Sequence, residues 1–194
     1  MPIRRAFRFL LLGIFVVVLG PLSGSAAVLI HLTVEEMTGQ SSAILLGRCV
    51  EVRSAWNADH SDIVTHNVFE VREYYKGNLG PRVTLTELGG QVGEWVSEYS
   101  GVPRFQAGEE AVLFVWTDPR RQHQVIGLTQ GKFRVARDRR SGEVVLQQSP
   151  SGEPMLEPPA HPHGEPAGPM VVPLGVLKDR VQLLLKQSSG GARQ

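Results

Sequence analysis

Histidine and carboxylate side chains are the residues of this chain best suited to hold a metal ion. His161 and His163 are separated by one proline, a spacing at which two imidazoles can bind one divalent cation. Glu157 or Glu165 could supply an oxygen ligand. The surrounding sequence is rich in proline and imposes no fixed ligand geometry. We therefore predict no metal site and no cofactor. If the chain does bind a metal ion, His161 and His163 are the best-placed ligands.

A second histidine pair, His60 and His66, lies near Asp59 and Asp62 in the sequence. Such a group could act as an acid–base pair or as a loop-anchored metal site. We favour the simpler interpretation that these are solvent-facing polar residues at a strand edge. The sequence contains no H-E-x-x-H motif, which excludes the zinc proteases that depend on it.

Motifs for phosphate binding and nucleophilic catalysis are incomplete. The G-G-x-x-G of residues 89–93 resembles part of a nucleotide-binding turn, but it lacks the lysine and hydroxyl of a P-loop and precedes no convincing helix. G-x-S-x-G is absent, and Ser100 stands in the wrong context for a nucleophile elbow. A hydrolase remains an alternative, because several glutamates could furnish a carboxylate pair that the sequence cannot locate. These glutamates are Glu70, Glu73, Glu87, Glu94, Glu98, Glu109 and Glu110.

Large aromatic side chains offer a binding chemistry instead. Most of them are expected in the core or at its rim, because a small β fold needs bulky interior residues. Residues 89–104 form a long segment with aromatic residues between otherwise regular strands, which is typical of a recognition loop. We predict Trp95, Tyr99 and Arg104 as binding residues. The other aromatic residues considered are Trp56, Trp116, Tyr74 and Tyr75.

Short β-strands must position these residues. From about residue 43 to 148, apolar and polar side chains alternate in short runs, as where Val50 and Val52 interleave with Glu51 and Arg53. The run AVLFVW at 111–116 is nearly all apolar, as expected of a central strand. Residues 89–93 are predicted to be a flexible crossover, and the stretch that follows is predicted to be weakly ordered. Regular spacing with glycine turns predicts a mainly β fold, a small barrel or sandwich.

Helical patterns flank the β region on both sides. Thr33 and Glu36 match a capping box that opens a short helix. Eight of the 13 prolines lie between Pro150 and Pro173, which predicts an extended linker over residues 149–173. A C-terminal amphipathic helix is predicted over 174–187, followed by a disordered tail at 188–194. Its apolar stripe needs a partner surface, either on the barrel or on another protein.

The N-terminus has the three-part layout of a secretory signal peptide. Three arginines precede the apolar run FLLLGIFVVVL, and small residues follow it. We predict signal peptide 1–27, cleaved after Ala27, and export to the periplasm or outside the cell. Contact with the membrane is then transient. The alternative is an uncleaved N-terminal anchor formed by residues 9–32.

Charge and cysteine content narrow the class of protein. The three signal-segment arginines account for part of the 20 basic residues, so 17 basic and 19 acidic residues remain, a net charge of −2. No basic surplus is left to neutralise phosphates, which argues against nucleic acid as the main partner. Cys49 is the only cysteine, so no internal disulfide can form. We expect Cys49 to be a small buried side chain in a strand.

Five segments carry a family resemblance: AILLGRCVEV, VREYYKG, RVTLTELGG, FQAGEEAVLFV and VIGLTQGKFRV. Together, over about residues 33–135, they resemble a group of uncharacterised exported bacterial proteins. They are also faintly similar to netrin-like and tissue-metalloproteinase-inhibitor modules. This likeness implies an OB-like barrel of five to seven strands with flanking helices. It does not carry inhibitor activity across, because those inhibitors rely on an N-terminal disulfide-bonded cysteine that this chain lacks.

These patterns favour an exported, non-catalytic β-barrel domain over residues 28–148 that binds a protein partner, such as a secreted or envelope protease. Two alternatives stay open at this point. One is the hydrolase with a concealed carboxylate site. The other is a structural module of the cell envelope held by the C-terminal helix.

Overall fold

A computed structural model describes residues 29–148, 155–156 and 171–190. The predicted signal segment with its cleavage at Ala27, the candidates His161 and His163, and most of the predicted linker lie outside the described residues. Within the described residues the protein is mainly β with two helices. Its strands are β1 Leu29–Ile30, β2 Ala43–Trp56, β3 Ile63–Lys76, β4 Arg82–Leu88, β5 Gly90–Val92, β6 Trp95–Ser97, β7 Glu110–Thr117, β8 His123–Val125, β9 Lys132–Arg137, β10 Val144–Gln148, β11 Met155–Leu156 and β12 Val171–Pro173. The helices are α1 Val34–Gln40 and α2 Leu174–Gly190, and a short 3-10 helix spans Leu128–Gly131.

Five strands close into a barrel. β2 pairs with both β3 and β7, β3 pairs with β4, and β4 lies parallel to β8. β8 then pairs antiparallel with β7, which completes the ring. Beyond the ring, β9, β10 and β12 extend the same sheet outward from β7. The prediction of a small OB-like barrel with an N-terminal and a C-terminal helix is therefore confirmed.

Alternation along β3 explains how the barrel interior is filled. Ile63, Thr65, Asn67 and Phe69 are buried, while the residues between them are partly exposed. The inward side chains of the other strands join Phe69 in a closed core, and Cys49 lies within it, fully buried as predicted. Burial raises the pKa of the Cys49 thiol, and the nearby Glu109 carboxylate adds to this effect.

A second core covers the outer face of the barrel. β7 contributes to both cores, because Leu113 and Val115 point into the barrel while Val112 and Phe114 point outward beneath the helices. This double burial accounts for the almost uninterrupted apolar sequence of β7. Phe133 of β9 packs against Phe114 with ring centroids 5.7 Å apart.

Both helices pack on this outer core. In α2, Leu177 and Val181 are buried, and Leu174 and Leu184 of the predicted stripe pack partly buried beside them. The stripe therefore docks on the barrel side of the same chain. Lys178 of α2 forms an ion pair with Glu73 of β3 at 2.5 Å, which ties the helix to the barrel wall.

The capping box of α1 is formed as predicted. The Thr33 hydroxyl accepts a hydrogen bond from the Glu36 backbone N–H at 3.1 Å, and the Glu36 carboxylate accepts one from the Thr33 N–H at 2.9 Å. We expect Thr33→Ala to lower the free energy of unfolding by about 1 kcal/mol, because a seven-residue helix loses its N-terminal cap. Urea denaturation would measure this. A cost equal to that of an exposed substitution such as Gln40→Ala would contradict the prediction.

Residues 89–97 differ from their prediction. Instead of a flexible crossover and a weakly ordered stretch, β5 and β6 form a hairpin with register pairs from Gly90↔Ser97 to Val92↔Trp95. Gly89 and Gly90 have φ angles of 82° and 141°, which only glycine adopts readily, and they turn the chain sharply out of β4. The glycines thus serve an ordered turn. Among the described residues, neither helix is long and apolar enough to cross a membrane.

Candidate functional site

The β5–β6 hairpin presents large apolar side chains to solvent. Trp95 is 69% exposed and its neighbour Val96 is 60% exposed, although both are in a strand. Tyr99, just beyond the hairpin, is 40% exposed. Apolar side chains clustered outside the core mark an interaction surface more often than isolated ones do.

Asp62 fixes the base of this hairpin from the β2–β3 loop. Its carboxylate accepts hydrogen bonds from the Tyr99 hydroxyl, from the Ser97 hydroxyl at 3.0 Å and from the Ile63 N–H at 2.7 Å. The hydrogen bond from Tyr99 is the largest of the contributions that lower the pKa of Asp62. Asp62 is therefore ionised at neutral pH and holds Tyr99 and β6 in place.

Aromatic stacking continues from the hairpin onto the end of β2. The indole rings of Trp56 and Trp95 meet edge to face with centroids 6.1 Å apart, and the His60 ring stacks with Trp56 at a centroid distance of 6.4 Å. We call the set Trp56, His60, Trp95 and Tyr99 the aromatic surface. Sequence reasoning found Trp95 and Tyr99 but placed Trp56 in the core or at its rim, and it treated His60 as a loop residue.

Arg104 lies close to the aromatic surface at the rim of the barrel. A Cβ placed on Gly89 would be 3.2 Å from Arg104 Nη2 and 3.4 Å from Tyr99 Cδ2, so both side chains flank the bare Gly89 backbone. The structure thus brings Tyr99 and Arg104 together around one glycine.

A cavity of about 120 Å³ lies inside the barrel end beneath the hairpin. The barrel interior is apolar around Phe69 but polar at this end, where Ser54, Thr65, Asn67 and Glu87 line the cavity. Val52, Leu88, Gly90, Pro103, Arg104 and Phe105 complete its wall.

Glu87 is the notable residue of this cavity, because its carboxyl group is buried without a cation. The residue is 5% exposed, and its Oε1 accepts a hydrogen bond from the Val125 N–H of β8 at 2.8 Å. Burial raises the pKa of Glu87 to about 8, and the hydrogen bond from Val125 only partly offsets this. Glu87 therefore carries a proton at neutral pH.

A second concave region, a groove of about 780 Å³, lies between residues 104–110 and β9. Lys132 and Glu109 form an ion pair in it at 2.7 Å, with side chains only 7% and 12% exposed. The Lys132 ammonium also donates a hydrogen bond to the Arg104 carbonyl at 2.5 Å and lies 4.3 Å from the centre of the Phe105 ring. Lys132 thereby holds residues 104–109 against the barrel.

The remaining candidates are dispersed. His66 Nδ1 is 3.0 Å from the Thr86 hydroxyl, and His60 belongs to the aromatic surface, so the two histidines do not form a pair. No group of three or more histidine, cysteine, aspartate or glutamate side chains with metal-binding geometry occurs within residues 29–148, 155–156 and 171–190. Glu70, Glu73 and Glu110 each form an ion pair with a basic residue.

Comparison with known protein families and with curated proteins finds no match to this sequence. The function therefore has to be argued from the aromatic surface, the cavity and the groove.

The polar cavity is the feature that the sequence did not predict. Its signal is visible afterwards: Thr65 and Asn67 occupy inward positions between Ile63 and Phe69 of β3, where apolar residues are the rule. Glu87 likewise follows Val83 and Leu85 on the inward face of β4. Polar residues at inward strand positions are a sequence sign of an internal polar site.

Proposed function

We propose that this chain is an exported, non-catalytic binding domain that recognises a partner protein through the aromatic surface. The observation that carries the proposal is the 69% exposure of Trp95 on an ordered hairpin. Tryptophan and tyrosine contribute most to protein interfaces when they project from a rigid support, because little side-chain entropy is lost on binding.

Rigidity of the hairpin supports the proposal. Three hydrogen bonds converge on Asp62 at its base, and the Thr65 hydroxyl donates a further one to the Gly89 carbonyl at 2.6 Å. The aromatic surface is therefore organised before a partner arrives.

Charge around the aromatic surface favours one kind of partner. Asp59 in the β2–β3 loop, Glu94 in the hairpin turn and Glu98 beyond β6 are exposed acidic residues beside it. A complementary partner segment carries apolar side chains flanked by lysine or arginine. The resemblance to netrin-like modules remains part of this proposal, and the closed five-strand barrel that it implies supports it.

Trp95→Ala is expected to abolish partner capture while leaving the fold intact, because the lost side chain is mostly in solvent. Trp116→Ala is the matched control, since Trp116 is 41% exposed on β7, outside the aromatic surface. A photo-crosslinking amino acid at position 94 in the hairpin turn, which leaves Trp95 in place, or at position 116 in cells of the source organism would identify the contacting protein. We expect a protein adduct at position 94 that is absent at 116.

Two results would contradict the proposal. One is the same crosslinked species at both positions. The other is an affinity of the identified partner that is unchanged by Trp95→Ala in surface plasmon resonance. A loss of at least tenfold is expected, since a central tryptophan contributes about 2 kcal/mol or more to a typical interface.

A further inference from the structure

The side chains of Ser54, Thr65 and Asn67 offer the cavity beneath the hairpin hydrogen-bond acceptors and no free donor. The Thr65 hydroxyl donates its hydrogen bond to the Gly89 carbonyl. The Ser54 hydroxyl, whose oxygen is 2.9 Å from that of Thr65, must therefore donate to Thr65. The Asn67 amide nitrogen donates to the carbonyls of Thr65 and Leu85 at 3.3 and 3.4 Å. Every donor of these three side chains is thus directed at the protein itself.

Two oxygen atoms are left over. Among the described residues, no hydrogen bond reaches Oε2 of Glu87 or Oδ1 of Asn67. Neither atom is sealed from solvent-sized space, so both are open to a ligand in the cavity, and Oε2 is an acceptor once Glu87 gives up its proton. A ligand that enters this cavity with several N–H donors and a positive charge pairs with both oxygens and stabilises the Glu87 carboxylate.

We propose that the cavity is a binding site for a primary alkylammonium group, which donates to Glu87, Asn67 and Ser54 while Glu87 becomes a carboxylate. The volume of about 120 Å³ equals that of about four water molecules, enough for an ammonium group and the methylene groups next to it. Val52, Leu88 and Pro103 on the wall offer apolar contact to those methylenes.

Other ligands fit this acceptor pattern less well. An anion would meet the lone pairs of Asn67 and Ser54, and a neutral alcohol would bring one donor and no charge. A chelated metal ion needs several histidine, cysteine or carboxylate ligands, and Glu87 is the one such side chain on the described wall.

Other charged groups around Glu87 act on this binding from neighbouring elements. Arg104 lines the cavity from the 98–109 segment and opposes a second cation. His123 of β8 lies two residues before Val125, and burial lowers its pKa, so it is neutral at pH 7. The Lys132–Glu109 pair lies at Phe105, which is itself part of the cavity wall, and its charges compensate each other.

A lysine side chain of the partner is the source that the surface favours, because Gly90 of the hairpin and Arg104, which flanks Gly89 together with Tyr99, both line the cavity. This choice of source rests on the proposed function, whereas the ammonium site itself does not. Free small amines are the competing source.

Titration calorimetry of the purified protein with butylammonium chloride tests the site. At pH 7 we expect binding to release most of one proton, since Glu87 with its pKa of about 8 is mostly protonated before binding. The release is read from measurements in two buffers of different ionisation enthalpy. Glu87→Gln should weaken binding about 10- to 100-fold, and Arg104→Gln should strengthen it.

Controls make the test specific. Glu143→Gln removes one exposed acidic charge near β10 and should leave the affinity unchanged. Butanol should not bind. Equal binding of butanol, or unchanged butylammonium binding in Glu87→Gln, overturns the ammonium site without touching the role of Trp95.

A separate experiment with the crosslinked partner tests whether the ammonium group comes from a lysine of that partner. Substitution of its contacting lysine by methionine should weaken the complex with the wild-type domain and have no further effect on Glu87→Gln. An additive loss in the two variants overturns the lysine assignment and leaves the free amine as the ligand.

Discussion

Glu87→Gln is expected to make the protein markedly more stable than the wild type at pH 8 and to change its stability little at pH 4. The raised pKa of about 8 in the folded protein compares with 4.5 for an ordinary glutamate. Below pH 4.5 both states are protonated, so the full stability is present. As the pH rises from 4.5 to 8, the unfolded chain ionises first and is favoured.

The size of this effect follows from the same two values. The gap between 4.5 and about 8 corresponds to roughly 5 kcal/mol of stability lost by pH 8, as an order of magnitude. A glutamine keeps the acceptor for the Val125 N–H but does not ionise. Urea denaturation of wild type and Glu87→Gln between pH 4 and pH 9 would show the two curves diverging as the pH rises. Glu143→Gln, exposed near β10, should follow the wild type. Parallel curves for Glu87→Gln and wild type would show that Glu87 is not desolvated.

Lys132→Met is expected to be the most destabilising single substitution in the groove. It leaves the Glu109 carboxylate buried without its cation, and removing one partner of a buried ion pair costs about 3–5 kcal/mol. It also removes the hydrogen bond to the Arg104 carbonyl and the contact with Phe105, so residues 104–109 lose their attachment to β9.

The double variant Lys132→Met with Glu109→Gln should recover much of that loss, because neither charge is then left uncompensated. Arg82→Met is the matched control. It breaks the Arg82–Glu70 pair, whose side chains are 67% and 52% exposed, and exposed pairs contribute less than about 1 kcal/mol. Free energies of unfolding from urea titrations at pH 6 complete the cycle. A loss in Lys132→Met no greater than that in Arg82→Met would contradict the buried pair.

Much of the fold was predictable because its determinants are local. The alternation in β3, the apolar run of β7 and the capping box at Thr33 are each readable within a few residues, and the structure confirms them. The stripe of α2 was readable too, but the sequence left its partner surface open. That partner surface is the outer face of β7, and it is defined only once the barrel is closed.

The candidate site was only half predictable for the same reason. Trp95 and Tyr99 stand out in an aromatic-rich segment. Their partners, Trp56 at the end of β2 and Asp62 in the loop that follows, are more than 30 residues away and become neighbours only when β2 and β3 pair. Glu87 was one of seven glutamates of equal standing until the barrel placed it inside. Its burial depends on β8, 38 residues later.

The ring of five strands is unequal in its strength. β2 and β3 share a ladder of 12 register pairs, whereas β4 and β8 meet at the single pair Leu85↔His123. Beside that pair, the contact from β4 to the Val125 amide is made by the side chain of Glu87. The ring therefore opens most easily between β4 and β8, because the fewest backbone hydrogen bonds have to break there. Ionisation of Glu87 favours the same separation, because water then reaches the carboxylate. We expect the ring to open along β4 and β8 more often as the pH rises through the pKa of Glu87.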